Sequence, residues 1–289
     1  ATDFVNDVDA SNTINGKEIC YWVNQHSLSV PSDSGYVVLV NCSEIEVANV
    51  NIADNGEGVL LISTTMSEIK NNTLVGNNKG LVIYMSEENS FTSNNVVNST
   101  YGILAYSPKN NFKNNVLENN SYDVNFEDRF IEEFDYSNLV DGSPICYWNW
   151  ENDMVVPENV GYVVLLGGSN ITIQNLNITN RRQGILLVGV TDSVIKNNII
   201  VNTNESIIMK GSSNNVVKSN LVENNTQALY LEASHQNNIS GNKITYISGV
   251  GVHMEDSNDN GLSGNYIAHC GQGLIINRGD DNLVTNNSL

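Results

Sequence analysis

Asparagine recurs in this chain at a fixed short period, and that period restricts the fold more than any other feature. Between residues 195 and 289 the sequence reads as stacked lines of apolar-x-x-Asn-x-apolar. The lines are Ile195-Lys-Asn-Asn198-Ile-Ile200, Val217-Lys-Ser-Asn220-Leu-Val222, Ile239-Ser-Gly-Asn242-Lys-Ile244, Leu262-Ser-Gly-Asn265-Tyr-Ile267 and Val284-Thr-Asn-Asn287-Ser-Leu289, about 22 residues apart. A second motif, small-apolar-x-apolar, alternates with them: Gly184-Ile-Leu-Leu187, Ser206-Ile-Ile-Met209, Ala228-Leu-Tyr-Leu231, Gly251-Val-His-Met254 and Gly273-Leu-Ile-Ile276. A fixed repeat of this length marks a solenoid.

Within each line the apolar residues alternate with polar ones, which is strand periodicity. The apolar pairs are short and are separated by Asn, Gly, Ser and Asp, which form turns. One line cannot bury its own apolar face, but copies stacked on one another can. Stacking at the strand spacing of ~4.8 Å makes Ile195, Val217, Ile239, Leu262 and Val284 one inward column, and Leu187, Met209, Leu231, Met254 and Ile276 another. Asn198, Asn220, Asn242, Asn265 and Asn287 then form a ladder at a tight turn, each amide bonding the next coil. The expected fold is all-β, a right-handed parallel β-helix of about eleven or twelve coils of roughly 22 residues.

The chain repeats itself at a larger scale. Ile19-Cys20-Tyr21-Trp22 matches Ile145-Cys146-Tyr147-Trp148, Gly35-Tyr36 matches Gly161-Tyr162, Phe4-Val5 matches Phe130-Ile131, and Ile69-Lys-Asn-Asn72 matches Ile195-Lys-Asn-Asn198. The offset is 126 throughout, which means duplication. Two modules are expected: 1–126 (head 1–40, coils 41–126) and 127–289 (head 127–166, coils 167–289). Val50 and Leu176 occupy the ladder position, so the ladder begins only after the first full coil of each module. The acidic, aromatic segment 122–136 breaks the pattern and is read as the junction.

Composition narrows the function. There are 32 acidic against 13 basic residues, a net charge of −19. That balance argues against nucleic acid and anionic membranes as partners, and no apolar run approaches a membrane span. The four cysteines contain no C-x-x-C. Cys20 and Cys42 are 22 residues apart, one nominal coil, which would place them within disulfide range. Aromatic residues concentrate in the heads. They serve either as a cover for the open end of the solenoid or, through Trp22, Trp148 and Trp150, as platforms for a sugar ring. Asn71, Asn98, Asn170 and Asn177 each begin an Asn-x-Ser/Thr glycosylation sequon.

The last coils hold the densest ionisable cluster. Glu232 stacks near Glu255; Asp256 and Asp259 stack near Arg278, Asp280 and Asp281; His253 points outward between inward Val252 and Met254. Asp256, Asp259, Asp280 and Asp281 offer oxygens of the kind calcium takes, so calcium is the only cofactor the residues themselves suggest. The Asp-pair, Gly-His-Gly and Arg-x-Lys signatures of pectin-cleaving hydrolases are not found, and the expectation is that the chain is not an enzyme.

The lines Ser212-Ser-Asn-Asn-Val-Val-Lys-Ser-Asn220 and Ser257-Asn-Asp-Asn-Gly-Leu-Ser-Gly-Asn265 resemble the repeats of the NosD-like, carbohydrate-binding and sugar-hydrolase group of parallel β-helices. The head Ser137-Asn-Leu-Val-Asp-Gly-Ser-Pro-Ile-Cys-Tyr-Trp148 resembles heads in archaeal cell-surface proteins. The resemblance implies an extracellular or cell-surface protein, structural, surface-layer-like or adhesin-like, meeting surface glycans. The last coil ends at Leu289 without a polar cap, so the expectation is either an excerpt of a longer protein or a homo-polymer through the solenoid ends. The same group also implies two alternatives: a carbohydrate-binding or carbohydrate-active β-helix (lyase, hydrolase or epimerase), and a copper-handling protein using His26, His235, His253 or His269. Fold does not choose among these.

Overall fold

A computed structural model describes residues 4–126 and 133–289. It divides into two compact units, 1–142 and 143–289, and among the described residues every element is a β-strand, with no α-helix. Each full coil has one six-residue strand and two three-residue strands, joined by three corners. In unit 1 the long strands Tyr36–Val40, Glu57–Ile62, Lys79–Tyr84, Tyr101–Tyr106 and Tyr122–Phe126 pair in parallel, in that order. In unit 2 the series is Tyr162–Leu166, Gln183–Val188, Glu205–Lys210, Gln227–Glu232, Val250–Glu255 and Gln272–Asn277. The expected parallel β-helix is therefore present, with about 11 coils in all.

The inward columns are the expected ones. Ile195 pairs with Val217, Val217 with Ile239, Ile239 with Leu262, and Leu262 with Val284. The first four of these are almost wholly buried. Each such aliphatic side chain contributes roughly 1.5–3 kcal/mol on burial. In unit 1 the equivalent column ends in stacked rings, Phe91 on Phe112 at 4.8 Å and Phe112 on Phe134 at 5.2 Å.

The heads depart from the expectation in an informative way. They are not separate caps but shortened coils. Cys20 pairs with Val37 and Ser29 with Glu46; Cys146 pairs with Val163 and Val155 with Thr172. The step is 17 residues, as in the Ser29–Glu46 hydrogen bond. The missing residues are those of the second short strand, which neither shortened coil contains. Segment 122–136 is likewise not simply a break. Tyr122–Phe126 is the last long strand of unit 1, and Glu133–Phe134 and Leu139–Val140 extend its two short-strand sheets. Phe130 and Ile131, matched above to Phe4 and Val5, lie outside the described residues.

The ladder runs as read, and it begins where it was expected to begin. Asn198 donates to Asn220, Asn220 to Asn242, Asn242 to Asn265 and Asn265 to Asn287, each Nδ2 to Oδ1 at 2.9 Å. Each Nδ2 also donates to a backbone carbonyl of the preceding coil, as Asn220 does to Ile195 O at 3.0 Å. Each Oδ1 accepts a backbone N–H from that coil, as Asn220 does from Asn198. The first members receive the backbone N–H of Val50 and Leu176. The other two corners carry ladders as well. Asn237, Asn260 and Asn282 link at 3.1 Å at one. Asn55 N–H donates to Asn77 Oδ1, and Ser99 N–H to Asn120 Oδ1, at the other. The signal for them was present as asparagine at intervals of five: Asn110, Asn115 and Asn120, or Asn215, Asn220 and Asn225.

A buried polar group left unpaired costs about 1–3 kcal/mol. Asn220→Ala orphans Ile195 O and Asn198 N–H, so chemical denaturation should show a loss of at least that size. Asn238→Ala, at an exposed strand position, should stay within about 0.5 kcal/mol of the parent.

Candidate functional site

A strand in a β-helix shows alternate side chains to the core and to solvent, so chemistry on this chain belongs to the outer columns and the corners. In unit 2 the outer face of the long-strand sheet carries the column Ile208, Tyr230, His253, Ile275. Beside it runs Lys210, Glu232, Glu255, Asn277. The Tyr230 and His253 rings lie 5.1 Å apart. His253 Nε2 is 3.3 Å from Glu255 Oε2 and 3.2 Å from Asn277 Nδ2. Arg278 donates from Nε to Asp256 Oδ1 at 2.7 Å and from Nη2 to Asp256 Oδ2 at 2.9 Å, and also reaches Glu255. Burial, and then the negative charges of Glu232 and Glu255, push the Tyr230 phenol above its ordinary value. Tyr230 is therefore harder to ionise than an ordinary phenol. The paired Asp256 carboxylate, and then the charge of Glu255, raise the Arg278 guanidinium further.

The four proposed calcium ligands are not gathered. Asp256 is held by Arg278, while Asp259 and Asp281 sit at left-handed turn positions with φ near 56°. Among the described residues no group of three or more His, Cys, Asp or Glu could hold a metal ion. The imidazoles are dispersed too. His235 Nδ1 accepts the Asn258 N–H at 3.1 Å, and His269 stacks on Tyr246 at 4.8 Å.

Trp22 and Trp148 stand in an inward column, in register with Leu39 and Leu165; Trp148 packs against the core cluster. Trp150 alone faces solvent, 68% exposed. Its ring lies over Gly167, where a Cβ would come within 2.6 Å of it, so the turn requires glycine there. Asn71, Asn98, Asn170 and Asn177 are all exposed, the first three in left-handed turns; Asn170 Nδ2 donates to Asp153 at 2.6 Å.

The shortened head coil also corrects the cysteine pairing. Because the step is 17 residues and not 22, Cys20 stacks on Val37 rather than on Cys42. All four thiols are free, and Cys42 Sγ is 3.4 Å from the carbonyl oxygens of Trp22 and Val40. Burial pushes the Cys20 thiol up from 9.0 to about 12 and raises Cys42 and Cys270 as well.

In unit 1 the same outer face has a different character. A cavity of about 320 Å³ opens on it, with Leu60, Val82 and Leu104 as floor and Phe4, Tyr84, Tyr101 and Tyr106 as sides. At its edge Lys79 Nζ meets Glu57 Oε1 at 3.0 Å. Tyr36 donates its hydroxyl to Glu57 Oε2 at 3.2 Å.

Set beside known proteins, the sequence matches the model of the family described as periplasmic copper-binding protein (NosD), over residues 13–145 and 130–289. No curated protein matches it significantly. Among solved structures it is similar to the mannuronan C-5 epimerase A-module of Azotobacter vinelandii, at 16% identity and TM-score 0.39, covering 89% of this chain and 80% of that one. It is similar to a periplasmic alginate epimerase at 10% identity and TM-score 0.35, covering 90% and 74%. It is similar to an alginate lyase from a Paenibacillus species at 11% identity and TM-score 0.31, covering 89% and 99%. At these values the likeness carries no argument about residues or substrate. The neighbours are nevertheless mostly polysaccharide-active enzymes, glycoside hydrolases included. The expectation that the chain is not an enzyme is corrected on that finding. None of the comparisons supports the archaeal, surface-layer or adhesin expectations.

Thiol titration in denaturant without reductant should count four free thiols; a count of two, with peptide mapping that joins Cys20 to Cys42, would restore that bond. A raised folded-state value favours the protonated thiol, so stability contributed by Cys20 is full below pH 9 and is lost as pH rises toward about 12. Cys20→Ala should flatten that part of the stability profile.

Proposed function

The chain belongs to the NosD family, and for this member we propose, from the groups on its outer face, that it acts on a polysaccharide outside the cytoplasm, by acid–base chemistry at the outer face of unit 2. The observation that carries the reading is the set Tyr230, His253 and Glu255 on one outer sheet face, with Arg278 reaching Glu255 from the corner after strand Gln272–Asn277. Neighbouring coils repeat each strand position every ~4.8 Å, so a ligand lying across them is met at regular intervals, as an extended polymer requires. The Tyr230 and His253 rings, 5.1 Å apart and tilted by 49°, supply aromatic contact for a sugar ring. His253 is the proton-transfer group, oriented by Glu255 at 3.3 Å. Neutral Tyr230 is the hydrogen-bond donor, and Arg278 holds Glu255 and Asp256 in place.

The copper of the family's description does not suit the donors present. Among the described residues no three His, Cys, Asp or Glu converge; the thioethers of Met209 and Met254 are core residues at 0% exposure, and those of Met66, Met85 and Met154, though exposed, have no imidazole or thiol cluster beside them. Soft or imidazole ligands in a set are what copper needs, so no step is assigned to it.

The test is product analysis by NMR and mass spectrometry after incubation with a polysaccharide panel. One polymer should be converted. His253→Ala and Glu255→Gln should each slow the conversion by about 10²-fold or more, with the fold and its unfolding midpoint retained. Unchanged rates in both variants, or no conversion of any polymer, would remove this reading.

A further inference from the structure

We propose that unit 1 carries a separate binding site for a neutral pyranose chain, in the tyrosine-walled trough on the outer face of its long-strand sheet. The first observation is an aliphatic strip on an outer face. Leu60, Val82 and Leu104 lie in register on consecutive coils, each between inward residues, so all three face away from the core. Val82 is 6% exposed and Leu104 4%, and the rings of Phe4, Tyr84, Tyr101 and Tyr106 line the same cavity.

One wall is Tyr84 and Tyr106, partners on adjacent coils with centroids 6.3 Å apart and planes at 72°. The other begins at Tyr101, which stacks on Tyr122 at 4.6 Å and 8°. Tyr101 and Tyr106 stand at opposite ends of one strand, so the walls rise about 17 Å apart along the backbone. The cavity between them, about 320 Å³, is within the range of small-ligand sites. Phe4 already stands at Tyr84, centroids 6.3 Å apart, tethered by Tyr21, whose hydroxyl donates to Phe4 O at 2.5 Å. The chain's own ring thus marks the trough as a place where rings pack.

The chemistry of the lining selects the class. The floor is aliphatic, while the rim offers the hydroxyls of three tyrosines and the Glu57–Lys79 pair. A pyranose with equatorial hydroxyls has the matching pattern, an apolar C–H face and a polar edge. A hydrocarbon chain would desolvate those rim groups without replacing their partners, which is costly. A polyuronate would meet a chain of net charge −19, in which the trough's cation, Lys79, is already neutralised by Glu57. Because the tyrosines recur on successive coils, the ligand's path crosses the strands, and a chain of sugars fits better than a single one.

The probes are cellohexaose and xylohexaose, with hexagalacturonate as the acidic counterpart, read by calorimetry and saturation-transfer NMR on the full chain. At least one neutral hexasaccharide should bind and hexagalacturonate should not. Tyr84→Ala and Tyr106→Ala should each weaken binding tenfold or more without moving the unfolding midpoint. Phe at the same positions should weaken it less, because the ring is kept. His253→Ala, in unit 2, should leave this affinity unchanged, which separates the trough from the activity proposed above. No binding by either neutral hexasaccharide, equal or tighter binding of hexagalacturonate, or full affinity in both alanine variants would overturn the proposal.

Discussion

The corner amide is the interaction on which the structure depends. A β-helix must turn its backbone three times per coil, and each turn takes N–H and C=O groups out of strand pairing. Buried backbone groups need partners, and here one asparagine side chain meets two such needs and links to the amides above and below it: Asn220 bonds Ile195 O and Asn198 N–H, and the side chains of Asn198 and Asn242. Only a short amide combines two donors and two acceptor sites in this geometry. The residue before it is left-handed, as at Asn71, Ser93 and Asn197, which is why Asn, Ser, Asp and Gly fill these turns. The ladder also fixes register. A slip by one residue would turn every inward side chain outward and would break the amide series at the same time.

With register held by the corners, the outer columns are free to diverge, and the two copies of the duplicated sequence have used that freedom differently. Leu60, Val82 and Leu104 in unit 1 are matched in unit 2 by Leu186, Ile208 and Tyr230. The next unit 2 position is His253. Tyr84 and Tyr106 are matched by Lys210 and Glu232. Unit 1 thereby presents rings over an aliphatic floor, and unit 2 presents an imidazole among carboxylates and a guanidinium. The same scaffold positions a packing surface in one case and titratable groups in the other. This is the sense in which function resides in grafted sites and not in the fold.

Much of this was legible in the sequence, and the parts that were not share a cause. Period and alternation identified the coils, the columns through Ile195 and Leu187, and the ladder through Asn198, because these depend on strictly local spacing. The 17-residue head step was not legible, since a constant offset of 126 between modules says nothing about the step within one. That is why Cys20 was placed over Cys42 instead of Val37. Of the candidate site, the outward direction of His253 and the stacking of Arg278 near Asp256 were readable. The trough of unit 1 was not, because it needs Tyr84, Tyr101 and Tyr106 from two coils and Phe4 from the head at once.

The most direct test of the ladder account is native-state hydrogen exchange resolved to single backbone amides. If the corner asparagines hold the coils together, the amides that donate to them, those of Asn198, Asn220 and Asn242, should be protected as strongly as the strand amides of Ile195 and Val217. Exchange at these corners at the rate of exposed turns, with the strands still protected, would show that the strands hold register without the amides and would contradict the account.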